Sequence, residues 1–188
     1  MANRETTSVQ PRALDLSQSN VDPASPIFQP MLSDLRANIL KGHGRRYAYH
    51  IFLQLRPQNI GEAKGWISNF ATNGLTSALK LEEGCQIFKG TGSDGGAVFT
   101  LSMSATGYAA LAFTPEQFPQ EQETPANHIV KDQPACANGA KASANKLGDD
   151  VEVDWEPPFR YKDAPGEAQT VDILIIVADN QAQKAWVL

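Results

Sequence analysis

The sequence predicts an α+β fold: a ferredoxin-like βαββαβ unit whose antiparallel sheet carries both helices on one face. Three observations carry this. Residues 47–55 (YAYHIFLQL) alternate like a strand, and a stretch of helical period follows. Two strand-like segments, 85–89 and 97–103, flank the turn-rich GTGSDGG. The apolar run 170–178 (TVDILIIVA) reads as a buried closing strand. The other sheet face then needs a cover: a second domain, a partner chain or a cofactor; the unit is expected to be one half of a dimeric α+β barrel.

The elements follow in order. Residues 1–30 are rich in Ser, Gln, Asn and Pro without apolar period and read as a disordered leader. The foldable domain is expected over 31–180, with a long loop at 114–169. Ser33 or Asp34 can cap a short helix through Lys41, with Leu35, Ile39 and Leu40 on one face. Gly42 and Gly44 end it. In the first strand Tyr47, Tyr49, Ile51, Leu53 and Leu55 share a face, while Ala48, His50, Phe52 and Gln54 form a second, partly apolar one. Asn59 and Glu62 have capping-box spacing, and Ile60, Ala63, Trp66, Ile67 and Phe70 follow at helical intervals. Asn73 and Gly74 stop that helix. The type of 75–81 is open. Residues 90–96 are expected to turn a hairpin between strands 85–89 and 97–103. Ser104 can cap a short helix holding Tyr108 and Leu111. Residues 140–147 are weakly helical. Asn180 can cap a final helix over 182–188.

Composition excludes several function classes. There are 16 Lys+Arg against 21 Asp+Glu, a net charge of −5, which argues against a nucleic-acid binder. No apolar run approaches the ~20 residues of a membrane span. The first thirty residues lack a secretory signal. Cys85 and Cys136 show no metal-ligand spacing and read as free thiols, so a cytoplasmic location is expected. The charge is uneven: residues 31–114 hold eight bases and five acids, and 115–188 hold six bases and thirteen acids.

Candidate motifs mostly resolve to bland readings. Gly90–Gly96 lacks the Lys and Ser/Thr of a phosphate loop, because Ala97 and Val98 follow it. Asp149, Asp150, Glu152 and Asp154 are closely spaced but lack the calcium-loop pattern. Trp155 with Pro157 and Pro158 reads as a turn around a buried ring. His43, between glycines beside Arg45 and Arg46, reads as a surface residue, and His50 as a packed or edge residue of its strand. No nucleophile–base set can be assembled. No catalytic, cofactor-binding or metal-binding residue is assigned.

Several segments, in order, resemble the dye-decolorising (DyP-type) haem peroxidases. Residues 35–45 (LRANILKGHGR) lead into the strand at 47–55 like the family's opening. Leu75–Thr76–Ser77–Ala78, residues 99–111 (FTLSMSATGYAAL), Phe118, Leu147–Gly148–Asp149, Trp155 and the strand 171–179 continue the likeness. It covers about residues 32–180. The resemblance implies two ferredoxin-like domains with haem b between them, of which this chain would be the N-terminal one. The family's distal Asp lies in a Gly-x-x-Asp-Gly motif after the last strand, and its proximal His in the second domain. The sequence ends before either, at Leu188. Gly92–Ser93–Asp94–Gly95 is one residue short of the motif and lies between the wrong strands. The expectation is a chain truncated in its final helix, 181–188, that belongs to a haem peroxidase but is inactive and binds no haem productively alone.

Two other readings stand beside it. The unit can be a non-catalytic binding or dimerisation module, its open sheet face taking a second copy or a C-terminal domain. It can also be a small haem-degrading or monooxygenase-type dimer, for which His50 and His128 are the in-domain ligand candidates.

Overall fold

The computed structural model describes residues 24–93, 95–117, 144–150 and 170–183. Its three strands are β1 (Tyr47–Leu53), β2 (Val98–Met103) and β3 (Ile173–Asp179), and they form one sheet in the order β1-β3-β2. The helices are α1 (Gln29–Asp34), α2 (Ile60–Asn73), α3 (Ala78–Thr91), α4 (Ala105–Ala110) and the single turn α5 (Ala144–Leu147). Leu53 O accepts the Asp172 N–H at 2.9 Å, while at the opposite end of β1 the Arg46 N–H reaches Asn180 Oδ1 at 3.1 Å. β1 and β3 are therefore antiparallel, and the last strand lies between the two earlier ones. This is the α+β, split β-α-β arrangement that the segment order predicts.

Hydrophobic patterning explains the sheet. β3 is the most apolar segment and takes the central place, with Ile173, Ile175, Val177 and Ala178 all buried. β1 is an edge strand: Tyr49, Ile51 and Leu53 are half-buried, whereas Ala48, His50 and Phe52 on the alternate face are exposed.

The chain divides into two compact units, and each strand contributes to both. The first holds α1, α3 and the loops around Gly44 and Gly95. Here the structure corrects the expected hairpin. Residues 85–89 are not a strand but the second half of α3, a 14-residue helix. The Ser77 hydroxyl accepts the Lys80 N–H at 3.2 Å as N-cap. Ala78, Leu81 and Gly84, spaced by three, are its buried side. Gly90 lies in its last turn, and Gly92 ends it in the left-handed conformation, φ +71°, donating its N–H to Phe88 O. So GTGSDGG begins with a helix stop rather than a hairpin turn, and Asp94 lies outside the described residues.

The hydrogen bonds to β2 expected of a strand at 85–89 are made instead by Thr76. Its N–H donates to Phe99 O at 2.9 Å, its hydroxyl accepts the Phe99 N–H at 3.0 Å, and its carbonyl accepts the Ala37 N–H. Arg36 and Ser77 pair as an isolated antiparallel bridge. That bridge explains a second correction. The helix expected from Ser33 or Asp34 to Lys41 instead ends at Asp34, because Leu35 turns extended to bring Arg36 to its partner. The helix begins earlier, with Pro30 in its first turn, where a missing N–H costs nothing. Ala37, Leu81 and Val98 form the buried cluster of this unit.

The second unit holds most of α2, α4 and the opening of β3. Ile60, Ala63, Ile67 and Phe70 are half-buried along one side of α2, as their spacing predicts, while Trp66 is 43% exposed and stacks on Phe70 with centroids 5.2 Å apart. Asn59 Nδ2 reaches Glu62 Oε2 at 3.4 Å, a side-chain version of the expected box. Ser104 caps α4 as predicted, its hydroxyl accepting the Gly107 N–H at 3.1 Å.

Among the described residues no helix is long and apolar enough to cross a membrane. Residues 1–23 of the leader expected over 1–30, residues 118–143, the acids Glu152 and Asp154, Trp155 and residues 184–188 of the expected end helix lie outside the described residues, whereas Gln29 and Pro30 of that leader already belong to α1. Asn180 Oδ1 accepts the Arg46 N–H at 3.1 Å, and Asp179 Oδ1 accepts the Gln181 N–H at 2.7 Å.

Candidate functional site

The described residues form a cleft in each of the two units. The first unit carries a cleft of about 540 Å³ between the loop 42–46 and the C-terminal half of α3. Its walls combine Arg45, Arg46 and Lys89 with His43, Cys85 and Phe88. Glycines 42, 44, 84 and 92 keep the walls low. Gly44 has φ +66°, a conformation that other residues rarely adopt, so the loop reverses there to bring Arg45 to the cleft.

Arg45 is the pivot. Its Nε donates to Gly96 O at 2.8 Å, and one terminal nitrogen donates to His43 O at 3.2 Å. The other terminal nitrogen lies where glycine alone fits: a Cβ on Gly95 would come within 3.1 Å of it and 2.8 Å of Gly84 Cα. The Gly84–Gly95 approach thus seats the guanidinium between helix and loop. His43 Nδ1 accepts the Arg45 N–H at 3.0 Å, which makes His43 a half-buried part of this loop rather than the surface residue its glycine context suggests.

Close by, Lys41 forms an ion pair with Glu82. Burial pulls the Lys41 ammonium down most strongly of any single influence, but the hydrogen bond and charge of Glu82, helped by Cys85, outweigh it and raise its pKa above the ordinary lysine value. Cys85 is a half-buried free thiol in the same wall, and Cys136 lies outside the described residues.

The second unit has a shallower cleft of about 340 Å³, lined by Leu53, Arg56, Glu62, Trp66 and Ile173 among others. Beside the opening of β3 is a closed polar cluster. Asp172 is 3% exposed. Its Oδ2 accepts the Leu55 N–H at 2.7 Å, and its Oδ1 accepts the Thr106 hydroxyl at 2.8 Å. Its backbone oxygen accepts the Ser104 N–H at 3.0 Å. A buried carboxylate so fully matched is an architectural joint.

Sequence reasoning singled out His43, His50, Cys85 and the Arg45–Arg46 pair. The structure brings His43, both arginines and Cys85 into one cleft and leaves His50 exposed on β1, outside both clefts. It adds Lys89 and Phe88, which the strand assignment had hidden. Asp149 and Asp150 are exposed, and no group of three or more His, Cys, Asp or Glu among the described residues could hold a metal ion.

Neither a family model nor a curated protein matches the sequence. Solved structures do. The fold is similar to that of a DyP-type peroxidase from Anabaena sp. (AnaPX), with TM-score 0.66 and 28% identity over 84% of this chain. It is similar likewise to DyP2 from Amycolatopsis sp. ATCC 39116, with TM-score 0.62 and 26% identity over 89% of this chain. In both cases the chain spans about 30% of the solved one. The protein thus has the architecture of one DyP-type domain, and its relationship to these peroxidases is partial in length.

The described residues do not fit a haem-iron site. His43 Nδ1 accepts the Arg45 N–H, which places the proton of the neutral ring on Nε2, and His50 is exposed on β1, outside the two clefts described. A haem ligand needs a pocket that shields the iron from water. His128 lies outside the described residues.

Proposed function

We propose that this chain supplies the sheet-bearing wall of a DyP-type haem peroxidase, and that peroxide-dependent oxidation of dyes or phenols belongs to an assembly in which another segment or partner holds the haem. What supports the reading is the match to AnaPX: 84% of this chain aligns, against 30% of the peroxidase. The chain's own contribution is burial. Ala48, His50 and Phe52 on β1 face outward, and covering such a face stabilises an assembly by roughly 25 cal/mol per Å² of apolar surface. Assembled so, the sheet would form half of a dimeric α+β barrel.

The test is an activity assay. The 188-residue protein with stoichiometric haemin, peroxide and a phenolic reductant is expected to turn over no faster than free haemin. Turnover well above that background would refute the reading. A second reading, a non-catalytic ferredoxin-like module that pairs with its own copy, is favoured by the 49% exposure of Phe52. Sedimentation distinguishes it: a concentration-dependent dimer that Phe52→Ser abolishes supports self-pairing, and a monomer at all concentrations removes it.

A further inference from the structure

We propose that the cleft lined by Arg45, Arg46 and Lys89 is a binding site for a small organic phosphate of about mononucleotide size. The inference is independent of any haem chemistry. Its starting point is a charge that meets no counter-charge among the described residues. Arg45 is half-buried, yet its guanidinium meets only the neutral carbonyls of His43 and Gly96 among the described residues. A partly desolvated cation is costly without a counter-charge. Arg46 and Lys89 add two more positive charges, and no carboxylate lines the cleft among the described residues. Of the two acids of α3, Glu82 is paired with Lys41, and Glu83 does not line the cleft.

Each cation has a bland explanation by itself. Lys89 lies in the last turn of α3, where a cation offsets the helix's carbonyl end. Arg46 is exposed on a loop. Neither explanation reaches Arg45, whose two carbonyl bonds fix the guanidinium plane in advance of any ligand. A fixed guanidinium fork matches phosphate oxygens in pairs, and preorganisation lowers the ordering cost of binding. Three cations suit a dianion better than a single carboxylate.

The rest of the cleft points to an organic body on that anion. Phe88 is 57% exposed and lines the wall, offering a ring face for stacking. The glycines allow a ligand close to the backbone: a Cβ added at Gly42, Gly44 or Gly92 would meet nothing within 4 Å, so there is open space above each. A volume of about 540 Å³ lies within the range of small-molecule sites.

Calorimetric titration of the 188-residue protein with AMP, inorganic phosphate and adenosine tests this at low salt. AMP is expected to bind one-to-one, phosphate more weakly at the same site in competition, and adenosine not at all. Arg46→Gln with Lys89→Gln changes two exposed side chains and should weaken AMP by about tenfold or more, while Lys64→Gln on α2 leaves it unchanged. Raising the salt should weaken AMP binding in the parent. No saturable AMP binding, adenosine binding as tightly as AMP, or an affinity untouched by the double substitution would each overturn the proposal.

Discussion

The Asp172 joint and the Arg45 cleft solve similar problems in opposite ways. Each brings a charged side chain against backbone from distant parts of the chain. Asp172 is nearly inaccessible, and the Leu55 N–H and the Thr106 hydroxyl meet its carboxylate oxygens. Arg45 is half-buried, meets only carbonyls among the described residues, and has two further cations for neighbours in its cleft. A charge whose partners are all supplied by the fold holds the fold together. A charge that the described residues hold among carbonyls alone is, on the proposal above, positioned for a ligand's counter-charge.

The largest expected effect sharpens the first half of that contrast. A Cβ on Gly107 would run into the Asp172 carbonyl oxygen and come within 2.8 Å of Met103 Cγ. Because the obstacle is largely backbone, Gly107→Ala should destabilise the protein by about 3 kcal/mol in urea unfolding. An effect below about 1 kcal/mol would mean that the joint is loose. Asp172→Ala should cost about 2 kcal/mol, since it strands the Leu55 N–H and the Thr106 hydroxyl in a buried place. Thr106→Val in the Asp172→Ala background should then cost little more, and a double-mutant cycle reads that coupling.

On the cleft side, Gly95→Ala forces its new methyl against Gly84 Cα and the Arg45 guanidinium. It should cost about 1.5 kcal/mol, roughly half the Gly107 effect, because the arginine tip can shift. The smallest effect belongs to Lys41. Its side chain is 40% exposed, so Lys41→Gln should cost only about 0.5 kcal/mol. Its raised pKa gives the pH dependence a definite sign. The pair's contribution is fully present below the ordinary lysine value of 10.5 and is lost as pH rises through the higher folded-state value. Stability curves of parent and variant should therefore converge in the alkaline limb, and convergence near neutrality would contradict the pairing.

Much of the sheet was legible in the sequence, because its signals are local. The apolar run of β3, the alternation of β1 and the Ser104 cap of α4 each sit within a few residues. The helix α3 was not. Gly84 and Gly90 weaken its helical signature, and the short run Cys85–Gln86–Ile87–Phe88–Lys89 imitates a strand beside a turn-rich segment. What fixes the helix is tertiary: buried Gly84 allows Gly95 to approach, and Thr76 takes the sheet-edge hydrogen bonds that residues 85–89 would have made. The cleft was half legible. The glycine-flanked His43 and the Arg45–Arg46 pair stand out in the sequence, but the carbonyl that anchors Arg45 is 51 residues away, and Lys89 joins them only once α3 is a helix.

Haemin titration of the 188-residue protein, followed by its Soret absorbance, tests most directly whether this chain is a wall of the peroxidase rather than its haem holder. The parent and a His43→Ala/His50→Ala/His128→Ala variant are expected to give the same weak, non-saturating spectra. A sharp, saturable one-to-one shift in the parent that vanishes in the triple variant would contradict the account.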